Sequence, residues 1–584
     1  MTDLILWNSL ATRRRSISDI LRENGLCEIK TYLEKQGYSV NLIDWANPDF
    51  YDGLAPDYLT SLNRAMVSSL LNSLKNKNRG ISFKIKGALN MILQDNINSI
   101  QKRRMNKMLD SLAEEIAEKK PLALGIKVWY GEAFVWSNML VEKVKKLNQE
   151  IITIAGGYHP TIYEEDFLRY SNFDIAVTAQ GEFTLSQILK IIKDNKGKSK
   201  QDIIEYIAEK AEKEQIKNLI YRKNREIIKT KRSLPSLKFK TFPDYPKDDG
   251  KVNIHVIIDS YGCDYGKCYF CVHSLIYPCY MARNPKDIVK EIKYMINKKG
   301  IGLYRFAGSD TPYQFGERIA RELLNKKINI EYSMGCRAVK GSKKKDHYNK
   351  IVQSYKTLLN SGLKSIFMGG ETGNDIINDK IMNKGINSED IIYTIKAIRQ
   401  AENETGKKID ISLALIYPCP LVSGITLQQV KQDDINLIKS TQPDGVMITP
   451  PGPFKNSNWY REKEKFGFEF EEDIIKKAMS YEYVLYKPPV LWPKIGYTLN
   501  KRPFSELLKD CSELRNEVES LGFPTDLSDE HFLMLRAAGF KGKEGVLKFK
   551  EESIRDVASA NYKWSNDICR RVNDYSSMLA SSNY

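Results

Sequence analysis

Short apolar segments alternate with helical stretches along most of this chain, and the alternation limits its fold more than any other feature of the sequence. Between about 250 and 470 a helical stretch follows nearly every apolar segment. The expected strands cover residues 252–258, 302–306, 328–334, 364–368, 409–416 and 444–449. Such alternation favours a parallel sheet, because each crossover helix returns the chain to the same edge. We predict a partial (β/α)6 barrel whose active site lies at the carboxyl ends of its strands.

The first 245 residues repeat the alternation, with a polar helical insertion at about 53–118. We predict a Rossmann-like domain over 1–245, with ligands at the carboxyl ends of its strands. Residues 475–584 are mostly helical and predict a C-terminal helical domain, so the fold class is α/β. The expected strands of the first domain are 4–7, 39–43, 122–128, 151–155 and 175–178.

Composition limits the class of protein further. Hydrophobic residues make up 42% of the 584 residues and charged residues 28%, which is typical of a globular chain. No window contains the roughly 18 consecutive apolar residues that a spanning helix needs. The apolar run Leu4–Trp7 is too short for a signal peptide, and Arg13-Arg14-Arg15 follows it rather than precedes it. We therefore expect an intracellular, cytoplasmic protein without a membrane partner.

The positive net charge says less about function than the alternation of strands and helices does. Lys and Arg number 90 against 73 Asp and Glu, giving +17. The charge lies in short blocks such as Lys102-Arg103-Arg104, and acidic residues interleave with most of the rest. We find no recognised nucleic-acid-binding motif, so a nucleic-acid partner is not expected. A mild preference for anionic partners remains.

Three of the nine cysteines lie within nine residues, directly after an expected strand. Cys263, Cys268 and Cys271 can bind a metal centre together, because thiolates prefer zinc or iron–sulfur. Structural zinc takes four ligands, and His273 could be the fourth, so a zinc site stays open. A 4Fe–4S cluster bound by three thiolates would leave one iron free for catalysis. The other cysteines are too few and too scattered for a disulfide scaffold.

The cysteine loop resembles the cluster motif of the radical S-adenosyl-L-methionine (SAM) enzymes. That motif is usually Cys-x3-Cys-x2-Cys, with an aromatic residue directly before the last cysteine. Phe270 fills the aromatic position, and Tyr265-Gly266 matches a common Tyr-Gly pair. Lys267 departs from the pattern because it lengthens the first gap to four residues. The resemblance implies that Cys263, Cys268 and Cys271 are both the metal ligands and the catalytic residues.

Further matches follow in the order of that family. Gly308-Ser309-Asp310 occupies the place of its Gly-Gly-Glu-like motif, and Glu371 lies in a Gly-Gly-Glu-Thr-Gly element. The resemblance implies SAM contacts from Phe270, Gly308, Ser309, Asp310, Arg337 and Glu371. Four residues near the later strand ends are weaker candidates for substrate contacts: Tyr417, Cys419, Trp459 and Tyr460.

The N-terminal region resembles the cobalamin-binding domain that precedes many radical SAM domains. Paired glycines after a strand let the backbone approach a flat cofactor, although a tight turn alone would also use them. The Asp-x-His-x-x-Gly signature of cobalamin proteins that ligate cobalt with a histidine is missing. The most similar segment, Asp529-Glu530-His531, lies in the C-terminal region and lacks the glycine. The resemblance therefore implies cobalamin without a protein histidine on cobalt. The implied contacts are Gly156, Gly157, His159, Gly181, Glu182 and Thr184.

Taken together, the resemblance implies a cobalamin-dependent radical SAM enzyme that uses a 4Fe–4S cluster, SAM and cobalamin. The expected activity is methylation of an unactivated carbon of a small-molecule, natural-product or peptide substrate, through a 5′-deoxyadenosyl radical and methylcobalamin. An external donor of the flavodoxin or ferredoxin type would supply electrons. Rearrangement, ring contraction or cyclisation without methyl transfer stays open, as do tRNA modification and a zinc-stabilised binding protein.

Overall fold

The computed structural model divides the chain into two compact units. It describes residues 2–76, 80–223, 226–237, 241–247, 249–484 and 491–584. The first unit comprises residues 1–251, 472–496 and 553–565, and the second comprises 252–471, 497–552 and 566–584. Residue 251 lies close to the predicted junction at 245–250. Residues 475–584, predicted as one helical domain, are divided between the two units.

A seven-stranded sheet is central to the first unit. Its strands are β1 (Leu4–Asn8), β2 (Val40–Ile43), β3 (Ala123–Lys127), β4 (Ile152–Gly156), β5 (Ile175–Val177), β6 (Leu219–Lys223) and β7 (Glu226–Lys229). Their order is β2-β1-β3-β4-β5-β6-β7. The first five are parallel, whereas β6 and β7 continue the sheet antiparallel. The chain reverses its direction of winding between β1 and β3, which is where ligands bind in sheets of this type.

Six parallel strands form the main sheet of the second unit, in the order β15-β14-β13-β12-β11-β8, which confirms the predicted α/β class. A two-stranded and a three-stranded antiparallel sheet accompany it. The strands of this unit are β8 (Ile254–Ile257), β9 (Ser260–Tyr261), β10 (Met281–Ala282), β11 (Leu303–Phe306), β12 (Glu331–Cys336), β13 (Leu363–Glu371), β14 (Asp410–Ile416), β15 (Gly445–Thr449), β16 (Phe468–Phe470), β17 (Tyr497–Leu499) and β18 (Arg502–Pro503).

The helices, numbered along the chain, cover most of the remaining described residues. They are α1 (Asn24–Lys35), α2 (Pro48–Gly53), α3 (Asp57–Lys75), α4 (Ile81–Lys119), α5 (Glu132–Leu147), α6 (Tyr158–Tyr163), α7 (Glu165–Arg169), α8 (Glu182–Asp194), α9 (Lys200–Glu212), α10 (His273–Ile276), α11 (Pro285–Lys299), α12 (Tyr313–Asn325), α13 (Lys345–Asn360), α14 (Asp375–Ile377), α15 (Ser388–Thr405), α16 (Leu427–Thr441), α17 (Asn458–Arg461), α18 (Ile474–Ser480), α19 (Phe504–Ser520), α20 (Asp529–Ala537), α21 (Gly542–Ser559) and α22 (Lys563–Ser581). Among the described residues, none of these helices has the length and apolarity needed to cross a membrane.

Helix α11 shows how local sequence sets the element boundaries. The Asn284 side chain accepts a hydrogen bond from the amide of Lys286 at 2.9 Å, and Pro285 occupies the first turn, where no intrahelical N–H bond is lost. Gly300 ends the helix in the left-handed conformation, at φ +62°. The sequence predicts this helix for the same physical reasons.

Helix α20 packs against β12, β13 and β14 of the second sheet. The hydroxyl of Ser333 donates to a carboxylate oxygen of Asp529 at 2.8 Å, and that of Ser365 donates to its carbonyl oxygen at 2.7 Å. The Ser412 hydroxyl donates to the carbonyl oxygen of Leu527 at 2.6 Å. Small hydroxyl residues on the strands thus bind the start of α20, which explains why this part of the C-terminal region belongs to the second unit.

Candidate active site

The cysteine loop leaves the carboxyl end of β8 and is closed at its base by a short antiparallel pair. Strand β9 pairs with β10 through Tyr261 opposite Met281 and Ser260 opposite Ala282. Gly262 follows at φ +73°, and a Cβ atom there would lie 2.3 Å from the carbonyl oxygen of Cys279. Only glycine fits this position, because both the conformation and the space exclude a side chain. The loop therefore begins from a fixed base.

Among the described residues, the three thiols of the loop do not form a compact single-ion site. Cys263, Cys268 and Cys271 are all partly buried. Among the described residues, their sulfur atoms do not all lie within 4.8 Å of one another, whereas a single tetrahedral zinc would bring them to about 3.8 Å. His273, the expected fourth zinc ligand, instead places its Nδ1 3.0 Å from the Ser309 hydroxyl. Soft thiolates at this wider spacing suit an iron–sulfur cluster that binds each one through a different iron.

Asp310 brings a carboxyl group beside the first cysteine. The ligand atoms of Cys263, Asp264 and Asp310 lie within 4.8 Å of one another, with 3.9 Å between Cys263 Sγ and Asp310 Oδ2. Burial, assisted by the neighbouring Asp264 carboxylate, raises the pKa of Asp310 to about 8. Its buried Oδ1 has no hydrogen-bond partner among the described residues. An unpaired acceptor next to the cluster loop fits the ammonium group of SAM.

Two cations, Arg337 and Lys384, lie near Cys268. Arg337 Nη1 is 3.6 Å from Cys268 Sγ, and the guanidinium lies 4.2 Å from the centre of the Tyr265 ring. The buried Lys384 ammonium lies 2.5 Å from Glu371 Oε1. Burial lowers the pKa of Lys384, but Glu371 and Cys268 outweigh it, so the net shift is upward and the group stays charged. These cations offset the negative charge of thiolates and offer a site for a carboxylate.

Glu371 lies in an unusual backbone conformation at the end of β13. Its φ is +63°, a left-handed conformation that costs a residue with a side chain about 1 kcal/mol or more. The pairing of β13 with β14 shifts register between Gly369 and Glu371, which indicates a local bulge. Such strain turns the glutamate toward Lys384 and is typical of functional sites.

A buried carboxylate that the sequence analysis missed fixes the loop after β11. Asp259 accepts hydrogen bonds from the amide of Gly308 at 2.8 Å and from the hydroxyl of Thr311 at 3.0 Å. A Cβ atom on Gly308 would lie 2.2 Å from the Ser260 hydroxyl oxygen. The backbone of the predicted SAM loop is therefore held against β8 by contacts that span about 50 positions of the sequence.

A second missed carboxylate fixes the loop after β13. Asp434, on α16, accepts from the hydroxyl of Thr372 at 2.7 Å and from the amide of Gly373 at 2.6 Å. Asp434 is completely buried, and burial raises its pKa to about 7. No local motif marks Asp434, because its partners lie about 60 residues earlier in the chain.

Phe270 contacts the protein interior behind the cysteine loop. Its ring centre lies 5.7 Å from that of Trp459, whose indole N–H donates to the carbonyl oxygen of Ile381 at 3.0 Å. Trp459, Tyr417 and Cys419 are only 0%, 4% and 1% exposed. These three side chains are therefore buried, and their contact with a substrate stays a prediction. Tyr460 is partly exposed and remains a candidate.

The glycines predicted to contact cobalamin lie at the carboxyl ends of β4 and β5 in the first unit. No atom of the described residues lies within 4 Å of a Cβ position on Gly156, and Gly157 has φ +97°, which favours glycine. Trp129 and Tyr158 place their ring centres 5.4 Å apart near the same edge, and Trp129 is 37% exposed. Open space beside glycine backbone and aromatic rings fits a flat cofactor.

The remaining residues predicted for cobalamin differ in exposure. His159 is 2% exposed, its Nε2 lies 3.1 Å from the carbonyl oxygen of Met479, and burial lowers its pKa to about 4. The Thr184 hydroxyl is buried and donates to the carbonyl oxygen of Lys217 at 2.9 Å. Both side chains are buried, and their contact with cobalamin stays a prediction. Gly181 and Glu182 begin α8 and are partly exposed.

Comparison with protein-family models assigns a class to this arrangement. The model described as the B12 binding domain matches residues 88–189, and the radical SAM superfamily model matches residues 257–413. These matches confirm the predicted pair of domains. The chain therefore contains a B12-binding domain and a radical SAM domain, and these domains imply cobalamin, a 4Fe–4S cluster and SAM as its cofactors.

Individual relatives are more distant. The anaerobic magnesium-protoporphyrin IX monomethyl ester cyclase of Cereibacter sphaeroides is 22% identical over 327 residues, which is 52% of this chain and 48% of the cyclase. This chain thus spans about half the length of that curated relative. The structure of TsrM from Kitasatospora setae, a radical SAM methyltransferase with cobalamin and a [4Fe–4S] cluster bound, matches with a TM-score of 0.61 and 12% identity over 94% of this chain and 100% of that chain. The structure of OxsB with aqua-cobalamin and SAM bound matches with a TM-score of 0.51 and 14% identity. The match covers 96% of this chain and 72% of OxsB.

Proposed function

We propose that this enzyme is a cobalamin-dependent radical SAM methyltransferase that methylates an unactivated carbon. The observation that carries the proposal is the similarity of fold to TsrM, a methyltransferase, over 94% of this chain and the full length of TsrM. The substrate would be a small molecule, a natural product or a peptide. An external flavodoxin- or ferredoxin-type protein would supply electrons.

The residues around the cysteine loop fit this role. When bound, the cofactors supply the difficult chemistry: reductive cleavage of SAM at the cluster and methyl transport on cobalamin. Cys263, Cys268 and Cys271 would bind the cluster. Asp310 would accept from the SAM ammonium, and Arg337 would donate to the SAM carboxylate.

The other predicted contacts supply shape. Gly308 would offer its backbone to SAM, because Asp259 fixes the loop and the lack of a side chain lets the loop lie directly against Ser260. Ser309, in the loop after β11, and Glu371, at the end of β13, would lie beside SAM, and Phe270 would shield the cluster from water. In the first unit, Gly156 would leave room for the corrin ring.

Cyclisation without methyl transfer is a second candidate, and the similarity to the magnesium-protoporphyrin ester cyclase favours it. The two candidates differ in what happens to SAM. A methyltransferase of this type consumes SAM as a methyl donor and releases S-adenosylhomocysteine. A cyclase releases only 5′-deoxyadenosine and leaves the methyl group on methionine.

The test uses the full chain, reconstituted anaerobically with iron, sulfide and hydroxocobalamin, and incubated with SAM and a low-potential reductant. We expect S-adenosylhomocysteine by chromatography and methylcobalamin by absorption. The Cys268→Ala variant separates cluster-dependent products from the others, because it removes one predicted iron ligand. Release of 5′-deoxyadenosine alone, with no methylcobalamin, would favour the cyclase alternative.

A further inference from the structure

A cavity of about 680 Å³ lies within the first unit and is not lined by any of the glycines predicted to contact cobalamin, among the described residues. Its lining includes Arg13, Arg14 and Arg15, which follow β1, and four residues of α5 after β3: Glu132, Val135, Trp136 and Met139. The cavity therefore lies at the carboxyl ends of β1 and β3, where the winding of the sheet reverses. Ligands of open α/β sheets bind at this position.

The cavity is rich in cations. Its lining contains two carboxylates, Glu132 and Glu482. The apolar part of the wall is substantial and includes Val135, Met139 and Val557. An apolar wall with excess positive charge suits a ligand that is apolar in body and anionic at one group. The cations are Arg13, Arg14, Arg15, Lys102, Lys477 and Lys494.

Both carboxylates of the cavity already bind groups of the protein. Glu132 Oε2 accepts from the amide of Thr12 at 2.9 Å and from its hydroxyl at 2.5 Å, and Glu132 Oε1 lies 3.3 Å from the Lys102 ammonium. Glu482 Oε2 accepts from the amide of Glu132 at 3.0 Å. Six cations against two carboxylates leave an excess of four positive charges on the cavity lining.

Two buried donors in the lining have no acceptor. Arg15 Nη1 and Trp136 Nε1 are buried and make no hydrogen bond within the described part of the chain. The ion pair between Arg15 and Glu482 spans 3.9 Å, which is too long for a hydrogen bond. An unpaired buried donor costs about 1–3 kcal/mol, so native proteins usually satisfy such groups. Arg15 cannot escape this cost by losing its proton.

We infer that this cavity binds an amphipathic organic anion, a carboxylate or phosphate on an apolar body, with Arg15 and Trp136 as the donors. The Arg15 guanidinium is already oriented, because it lies 4.5 Å from the centre of the Tyr130 ring. The anion has two possible sources: the phosphate-linked nucleotide of cobalamin, or a separate acidic molecule.

The binding test uses calorimetry on the full chain with 2-naphthoate as the probe and neutral 2-naphthol as its matched control. We expect the naphthoate to bind at least about tenfold more tightly than the naphthol, since it gains a charge-assisted hydrogen bond. Arg15→Gln should remove most of this preference. Arg103→Gln, on the same α4 helix as Lys102 but outside the lining, should leave it unchanged.

A second variant keeps the test decisive if Arg15→Gln does not fold. Trp136→Phe removes only the indole N–H and keeps an aromatic ring in the wall, and we expect a weaker loss of naphthoate binding, of about threefold or more. Equal binding of naphthoate and naphthol, or unchanged naphthoate binding in both variants, would overturn the inference.

Loading the protein with hydroxocobalamin or with cobinamide, which lacks the nucleotide, distinguishes the two sources. If the nucleotide occupies the cavity, hydroxocobalamin blocks naphthoate binding and cobinamide does not. If the anion is a separate molecule, naphthoate binds to both loaded forms. Either pattern supports the site. Naphthoate affinity that is the same in wild type and in Arg15→Gln, in every loaded form, contradicts it.

Discussion

Arg305 and Asp529 form a two-point ionic contact, with 3.0 Å between Arg305 Nε and Asp529 Oδ2 and 3.1 Å between Nη2 and Oδ1. The arginine lies on β11 and the aspartate begins α20. Asp529 is completely buried and also accepts from Ser333. One buried carboxylate therefore connects α20 to β11 and β12 of the sheet that carries the cysteine loop.

Asp529→Ala should destabilise the second unit. The change removes the two-point contact of Arg305, which keeps its ion pair with Glu530 at 2.8 Å, and it takes the acceptor from the Ser333 hydroxyl. Losing one partner of a buried pair costs about 3 kcal/mol. Asp567→Ala, which breaks exposed ion pairs with Arg570 and Arg571 on α22, is the matched control and should cost less than about 1 kcal/mol. The free energy of unfolding of both variants is measured by urea unfolding, monitored by circular dichroism. Equal losses of stability in the two variants would contradict the structural role of Asp529.

Asp434 should give stability a dependence on pH. Because burial raises the pKa of Asp434 from 3.8 to about 7, the folded state binds more protons than the unfolded state between these values. The stabilisation is complete below about pH 4 and is lost as pH rises through about 7. Asp434→Asn stays neutral, so its stability relative to wild type should improve by about 1 kcal/mol or more from pH 5 to pH 8. A difference that does not change with pH would contradict a raised pKa.

Gly308→Ala should weaken SAM binding without removing the cluster. The new Cβ would lie 2.2 Å from the Ser260 hydroxyl oxygen and 2.9 Å from Asp259 Oδ1, so the loop must move away from β8. We expect at least about a tenfold loss of SAM affinity, measured by calorimetry, with normal iron content. Gly335→Ala is the control, since its Cβ position has no atom within 4 Å in the described part of the chain. Unchanged SAM affinity in Gly308→Ala would contradict the placement of Gly308 in the SAM site.

Gly156→Leu should block cobalamin by filling the space that a corrin would use. The backbone of Gly156 is not in the left-handed region, and no atom lies near its Cβ position, so the fold should tolerate the change. Gly87→Leu, on α4, has the same open surroundings and serves as the control. Bound cobalamin is measured by absorption after gel filtration. Retention of cobalamin by the Gly156 variant would place the cofactor elsewhere.

The sequence was informative wherever a short segment determines its own structure. The alternation of apolar strands predicted the six parallel strands of the second unit, and Asn284 and Gly300 predicted the ends of α11 because capping is local. The cysteine loop was recognisable for the same reason, since its ligands lie within nine residues.

Features built from distant segments could not be predicted. Asp259 and Asp434 act through partners about 50 and 60 residues away, so no motif marks them. The burial of Trp459, Tyr417 and Cys419 depends on how the later loops pack, and local sequence does not specify it. The division of 475–584 between two units has the same origin, because contacts such as Asp529 with Arg305 cross more than 200 positions.

The most direct test of the account is the metal and cobalamin content of the anaerobically reconstituted full chain, with Cys268→Ala and Cys279→Ala compared side by side. Cys279 is an exposed cysteine of the same loop and is not a predicted ligand. We predict about four irons and one cobalamin in wild type and Cys279→Ala, with loss of the iron–sulfur absorption in Cys268→Ala. A colourless wild-type protein that binds zinc instead, or equal iron loss in both variants, would contradict the account.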